Sequence, residues 1–117
     1  MGVERNLNFG WYVEFPEGTS IWRVNETLNE NGLKYAEDFV IGIDPITGRQ
    51  HHIGVPNYDN LSLHIDDGDD TLVLRWDQIE RMRTTWPAPL IQYVNDVNCI
   101  YGDDFATVRF GLIQWYN

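Results

Sequence analysis

The chain has 117 residues and a net charge of −10, set by 18 acids against eight bases. Its 43% hydrophobic and 14% aromatic content is too rich for a disordered acidic segment, so the charge sits on a folded body of one-domain size. Surplus negative potential disfavours direct contact with nucleic acid or an anionic membrane, and a lone cysteine, Cys99, leaves no intramolecular disulfide.

Phe9, Trp11, Val13 and Phe15 alternate with Asn8, Gly10 and Glu14, the period of a half-buried strand. Pro16-Glu17-Gly18 breaks it. Ser20 can then cap a helix over residues 20–31 in which Ile21, Val24 and Leu28 share one face, with Gly32-Leu33 as a Schellman stop. Four short strands follow, marked by Phe39, Ile41 and Ile43, by His51, Ile53 and Val55, by Leu61, Leu63 and Ile65, and by Leu72, Leu74 and Trp76. Asp44-Pro45-Ile46-Thr47-Gly48 and Asp66-Asp67-Gly68-Asp69-Asp70 carry turn chemistry, which predicts two antiparallel hairpins. Asp77 can cap an extra helical turn bearing Ile79 and Met82. Pro87 and Pro89 suit the start of a longer helix, Leu90, Val94, Val97 and Tyr101 form its stripe, and Gly102 stops it. Ala106, Val108, Phe110 and Leu112 then place a closing strand within Phe105 to Trp115.

The expectation is one α+β domain over residues 1–117, in the order β-α-β-β-β-β-α-β, with a mainly antiparallel sheet of five to six strands packed by two helices. No repeat or linker divides it. Met1 to Asn6 shows no apolar run and no stretch approaches the roughly 20 apolar residues that span a bilayer, so a cytoplasmic protein is expected. Asn6 stands where a myristoylation motif wants Ser or Thr. The triplets at Asn25 and Asn60 resemble glycosylation sites but mean nothing without a secretory signal.

Catalytic and cofactor signatures are missing from the residue pattern. His52 and His64, with Asp66, could form a small-ligand or catalytic site from neighbouring strands, although their spacing fits no metal motif and alternation turns both histidines away from the apolar side. Asp66 to Asp70 lack the alternate acids and terminal glutamate of a calcium loop. No Gly-x-Ser-x-Gly elbow or phosphate-cradling loop is present, and Cys99 reads as a small core filler. No cofactor and no metal are expected. Of the aromatics, Trp11, Trp22, Trp76 and Trp86 are expected mostly in the core, whereas Tyr12, Tyr58, Trp115 and Tyr116 are candidates for exposure and for partner contact.

Each half of the chain, residues 1–60 and 61–117, holds nine acids against four bases. Such a field steers association toward basic partners. Area scaling gives roughly 660 Å² of surface per net charge, against nearer 100 Å² for B-DNA, so a DNA mimic would have to focus its acids on about a third of the surface. Candidate partner-binding acids are Glu26 and Glu30 on the first helix, Glu37 and Asp38 after it, Asp66, Asp67, Asp69 and Asp70 at a hairpin tip, and Asp103 and Asp104 after the second helix. The same residues also fit ordinary solubilising charge. The leading expectation is a non-catalytic inhibitor that binds a basic surface on another protein, such as a nucleic-acid-processing or defence enzyme, as a DNA mimic or in the manner of small phage anti-defence proteins, an analogy of size and charge. The alternative is a general interaction module, such as an immunity protein or accessory subunit, anchored by aromatics.

Overall fold

The computed structural model describes residues 5–33, 40–43, 52–56, 60–65 and 73–116, with the backbone alone at 40–43 and 116. These form an α+β domain with five strands, β1 (Arg5–Glu14), β2 (Val40–Ile43), β3 (Ile53–Pro56), β4 (Ser62–Ile65) and β5 (Thr107–Tyr116), and three helices, α1 (Ile21–Glu30), α2 (Trp76–Thr84) and α3 (Ala88–Tyr101).

All strand pairs are antiparallel, and β1 is the centre of the sheet. Along one edge β5 pairs with it without interruption, from Arg5↔Tyr116 to Glu14↔Thr107. Two strands share the other edge: β4 lies beside Leu7 to Gly10 and β3 beside Val13 and Glu14, with β2 outside β3. Alternation along β1 sorts its side chains onto two faces. Val13 and Phe15 bury against Ile21, Val24 and Leu28 of α1 and Leu90, Tyr93, Val94 and Val97 of α3. On the opposite face Val55 and Ile113 form a smaller cluster edged by Tyr12, Ile53 and Trp115.

The caps of α1 follow the sequence. Ser20 Oγ accepts from the Arg23 N–H at 3.4 Å. At the other end Gly32 takes φ +79° and the Leu33 N–H donates to the Leu28 carbonyl at 3.1 Å, a Schellman closure that tucks Leu33 against the core. Asn98 pins the end of α3 to the approach of β5: its amide donates to the Ala106 carbonyl at 3.1 Å, and its Oδ1 accepts the Ala106 N–H at 2.8 Å.

Several expectations are corrected. The strand at Leu74 and Trp76 does not form: residues 73–75 are irregular and Trp76 is the first residue of α2, so the middle of the chain reads β-β-β-α rather than β-β-β-β. A short alternation of apolar residues does not distinguish a strand from the lead-in to a helix. Strand β4 pairs with β1, while the predicted turn at Asp66 to Asp70 and Leu72 lie outside the described residues, and three helices are described instead of two. The first hairpin does form, with Val40↔Pro56 to Ile43↔Ile53, while its turn lies outside the described residues. The N-cap of α2 is Arg75 instead of Asp77, and the Arg75 guanidinium grips the Asp77 carboxylate at 3.0 and 2.7 Å, holding it below the usual carboxylate range.

Helix α2 is loosely seated. None of its residues is fully buried, and the Trp11 indole N–H, donating to the Met82 carbonyl at 3.0 Å, ties it to the sheet. Beneath it runs a groove of about 420 Å³ lined by Phe9, Leu63, Leu74, Ile79 and Met82. Among the described residues no helix is long and apolar enough to cross a membrane.

Candidate acidic and aromatic face

Helical phase decides what α1 offers to solvent. With Ile21, Val24 and Leu28 inward, Trp22 lies roughly 130° around the axis from their mean direction, and Glu26 and Glu30 follow it at i+4 and i+8. Trp22 is 72% exposed, and a shallow depression of about 340 Å³ runs past Trp22, Arg23, Glu26 and Glu30. Two bonds join this helix to α3: the Tyr93 hydroxyl donates to Asn25 Oδ1 at 2.6 Å, and the Tyr101 hydroxyl meets Thr27 Oγ1 at 3.2 Å. Tyr101 also stacks on Phe105 with ring centres 4.6 Å apart. Thr27 sits between Glu26 and Glu30, and Asp103 and Asp104 come just after Tyr101. Four exposed carboxylates thus flank, in sequence, the two residues that make this interhelical contact.

Their position is electrostatically costly for the fold. Glu30 is the last residue of α1, Asp103 and Asp104 follow the C-terminus of α3, and neither helix has a basic residue in its last turn. The negative end of a helix dipole disfavours an acid there by about 0.3–1 kcal/mol each, and Glu26 with Glu30 adds a like-charge i,i+4 pair. Three other acids are partnered, Glu14 with Arg109 at 3.3 Å, Glu80 with Arg83 at 3.1 Å, and Asp77 with Arg75, whereas the exposed Glu17 forms no ion pair with another described residue. Glu26, Glu30, Asp103 and Asp104 form no ion pair with another described residue.

Of the remaining predicted partner residues, Glu37, Asp38, Tyr58, Asp66, Asp67, Asp69 and Asp70 lie outside the described residues. Those described carry nine acids against six arginines, a net −3 of the −10. Tyr12 is half-buried against the second cluster, and burial, reinforced by Glu14 and opposed by Arg109, raises its hydroxyl pKa above the usual 10.0.

The histidines are not neighbours. His64 pairs with Asn8, whereas the His52 carbonyl accepts from the Phe15 N–H at 2.8 Å. They therefore sit seven residues apart along β1, roughly 23 Å at strand rise. His64 Nε2 lies 3.0 Å from Asn6 Oδ1 and its ring stacks on Trp115, whose indole N–H donates to Asn8 Oδ1 at 2.6 Å. That network satisfies the buried Asn6 and Asn8. Nδ1 of His52 is buried without a partner among the described residues. Asp66 lies outside them. Among the described residues, no three His, Cys, Asp or Glu side chains are grouped so as to hold a metal ion.

Sequence reasoning misplaced the aromatics. Trp22, Trp76 and Trp86 are exposed at 72, 77 and 73%, while Trp115 is partly buried. The helical phase of Trp22 already pointed outward; Trp76 was obscured by its assignment to a strand, and Trp86 sits in the short connector between α2 and α3. Cys99, expected in the core, is exposed, because the inward arc of α3 is filled by Leu90, Tyr93, Val94 and Val97. The Tyr116 side chain is outside the described set. Comparison with known proteins gives no match: neither a family model, nor a curated protein, nor a solved structure is similar to the chain.

Proposed function

We propose that the chain is a non-catalytic inhibitor that binds a basic surface of another protein in the cytoplasm, with Trp22 as anchor and Glu26, Glu30, Asp103 and Asp104 as the charged contacts. The carrying observation is that Glu30, Asp103 and Asp104 stand at or just after the C-terminal ends of two helices, where they oppose the dipoles, that Glu26 repels Glu30 one turn away, and that none of the four has a cationic partner among the described residues. Residues that cost the fold stability are retained where function uses them. A nucleic-acid-processing or defence enzyme has the complementary chemistry, since arginines and lysines that hold phosphates also hold carboxylates.

Capture on immobilised wild-type protein, beside the variant Glu26→Lys, Glu30→Lys, Asp103→Lys, Asp104→Lys, tests this. A protein retained by wild type at low salt, released as salt rises and not retained by the variant is the expected result. Equal retention by both ends the proposal.

A second reading, a general interaction module anchored by aromatics, draws on the exposed Trp76 and Trp86 that bracket α2 above its apolar groove. Retention indifferent to salt and lost in Trp76→Ala with Trp86→Ala would favour it.

A further inference from the structure

The ten-residue strand β5 has β1 on one side, and no described strand pairs with its other edge. Which backbone groups look outward follows from β1. The Trp11 N–H donates to the Leu61 carbonyl and the Phe15 N–H to the His52 carbonyl, both at 2.8 Å and both away from β5. In an antiparallel ladder the residue opposite such a position also turns its N–H and C=O away from the shared seam. Phe9, Trp11 and Val13 oppose Leu112, Phe110 and Val108, so those three residues turn their main-chain donors and acceptors toward the edge that no described strand covers.

Natural edges are usually blunted by charge, proline or a bulge. This one is not: Thr107 to Tyr116 contains a single charged residue, Arg109, no proline, and an unbroken ten-pair register. Arg109 is itself engaged with Glu14 at 3.3 Å. Leu112 stands 60% exposed beside it. In a chain of net charge −10, an acid-free strand of this length lets two copies meet without facing carboxylates along the seam.

We propose that β5 pairs with β5 of a second copy, antiparallel about a two-fold axis at Gly111, continuing the sheet through both chains. In that register the exposed Leu112 lies opposite the partner's Phe110, and the reciprocal pair repeats across the axis; both are outward-facing positions, so each pair closes two backbone hydrogen bonds. The Arg109 side chains fall opposite the partner's Ile113 and so do not face one another. Self-pairing satisfies both edges at once, as an isologous interface requires. The acidic face on α1 and α3 plays no part in the contact, so this assembly stands or falls separately from the function proposed above.

Sedimentation of the wild-type protein across a concentration series, at low and at high salt, tests it. The expected species has twice the 13.7 kDa mass of one chain, and it strengthens with salt because screening relieves repulsion between acidic copies. A single-chain mass at every concentration and salt overturns the proposal, including the case in which the edge serves a strand of a different protein. Leu112→Pro removes an outward N–H while leaving the β1 seam untouched; it is expected to sediment as one chain, and persistence of the double mass overturns the proposal. Should that variant misfold, amide exchange of the wild type decides: Phe110 and Leu112 amides that slow with rising concentration support pairing, and rates independent of concentration refute it.

Discussion

Gly10 and Gly111 face each other across the β1–β5 seam, yet replacing each with alanine should have opposite consequences. Gly10 holds φ +137°, and a Cβ built there overlaps the Leu61 carbonyl oxygen and comes within 2.8 Å of both Met82 Sδ and Ser62 Cα. The Leu61 carbonyl cannot retreat freely, because it accepts the Trp11 N–H. Backbone strain of about 1–3 kcal/mol and overpacking of about 1–3 kcal/mol together give roughly 2–6 kcal/mol, a large share of the 5–15 kcal/mol typical of a domain. At Gly111 the nearest atom is Tyr12 Cε1 at 3.6 Å, an ordinary contact. Alanine there should be neutral or gain up to about 1 kcal/mol by restricting the unfolded chain. In urea, with an m-value of about 2 kcal/mol/M, Gly10→Ala should lower the midpoint by roughly 1–3 M. Gly111→Ala should leave it in place or raise it. Equal losses at the two positions, or a Gly10→Ala midpoint indistinguishable from wild type, would refute the account of this seam.

Asn98→Ala should cost about 2 kcal/mol or more, because Ala106 is buried and would lose the partners of both its N–H and its carbonyl. Asn98→Asp, which keeps the acceptor and loses the donor, should fall between it and wild type in denaturant unfolding. Tyr12 supplies a pH dependence: because its folded pKa is raised, its contribution is intact below 10.0 and is lost as pH rises through the folded value. Wild type should therefore lose stability relative to Tyr12→Phe as pH rises through 10.0 and above it, and parallel stability curves would show that the phenol is not perturbed.

Elements whose signals are local were legible. The alternation from Phe9 to Phe15, the Ser20 cap, the Gly32-Leu33 stop and the stripe of Leu90, Val94 and Val97 all became the structure they suggested. The α2 region was not, since Leu74 and Trp76 satisfy a period of two while Trp76, Ile79 and Met82 satisfy a helical one, and seating over Phe9 and Leu63 selects between them. Strand partnership was illegible for a related reason. The Asp-Gly step at residues 67–68 argues for a neighbour next in sequence, whereas β4 finds β1, more than fifty residues earlier, along an edge that only the assembled sheet creates. For the acidic residues, the phase of α1 shows that Glu26 and Glu30 share a side, but nothing local says that Tyr101, two residues before Asp103, reaches Thr27.

The pairing of β1 with β5 also dictates the order in which the molecule can assemble. The Trp115–Asn8 hydrogen bond spans 107 positions of sequence, and the central strand lacks one entire flank until the last strand arrives. During synthesis α1 and the β2–β3 hairpin can form early, but the sheet that organises them closes only once residue 116 has cleared the ribosome. Until then β1 lacks its long β5 partner, and so distant a pairing makes closure of the sheet the slow part of folding.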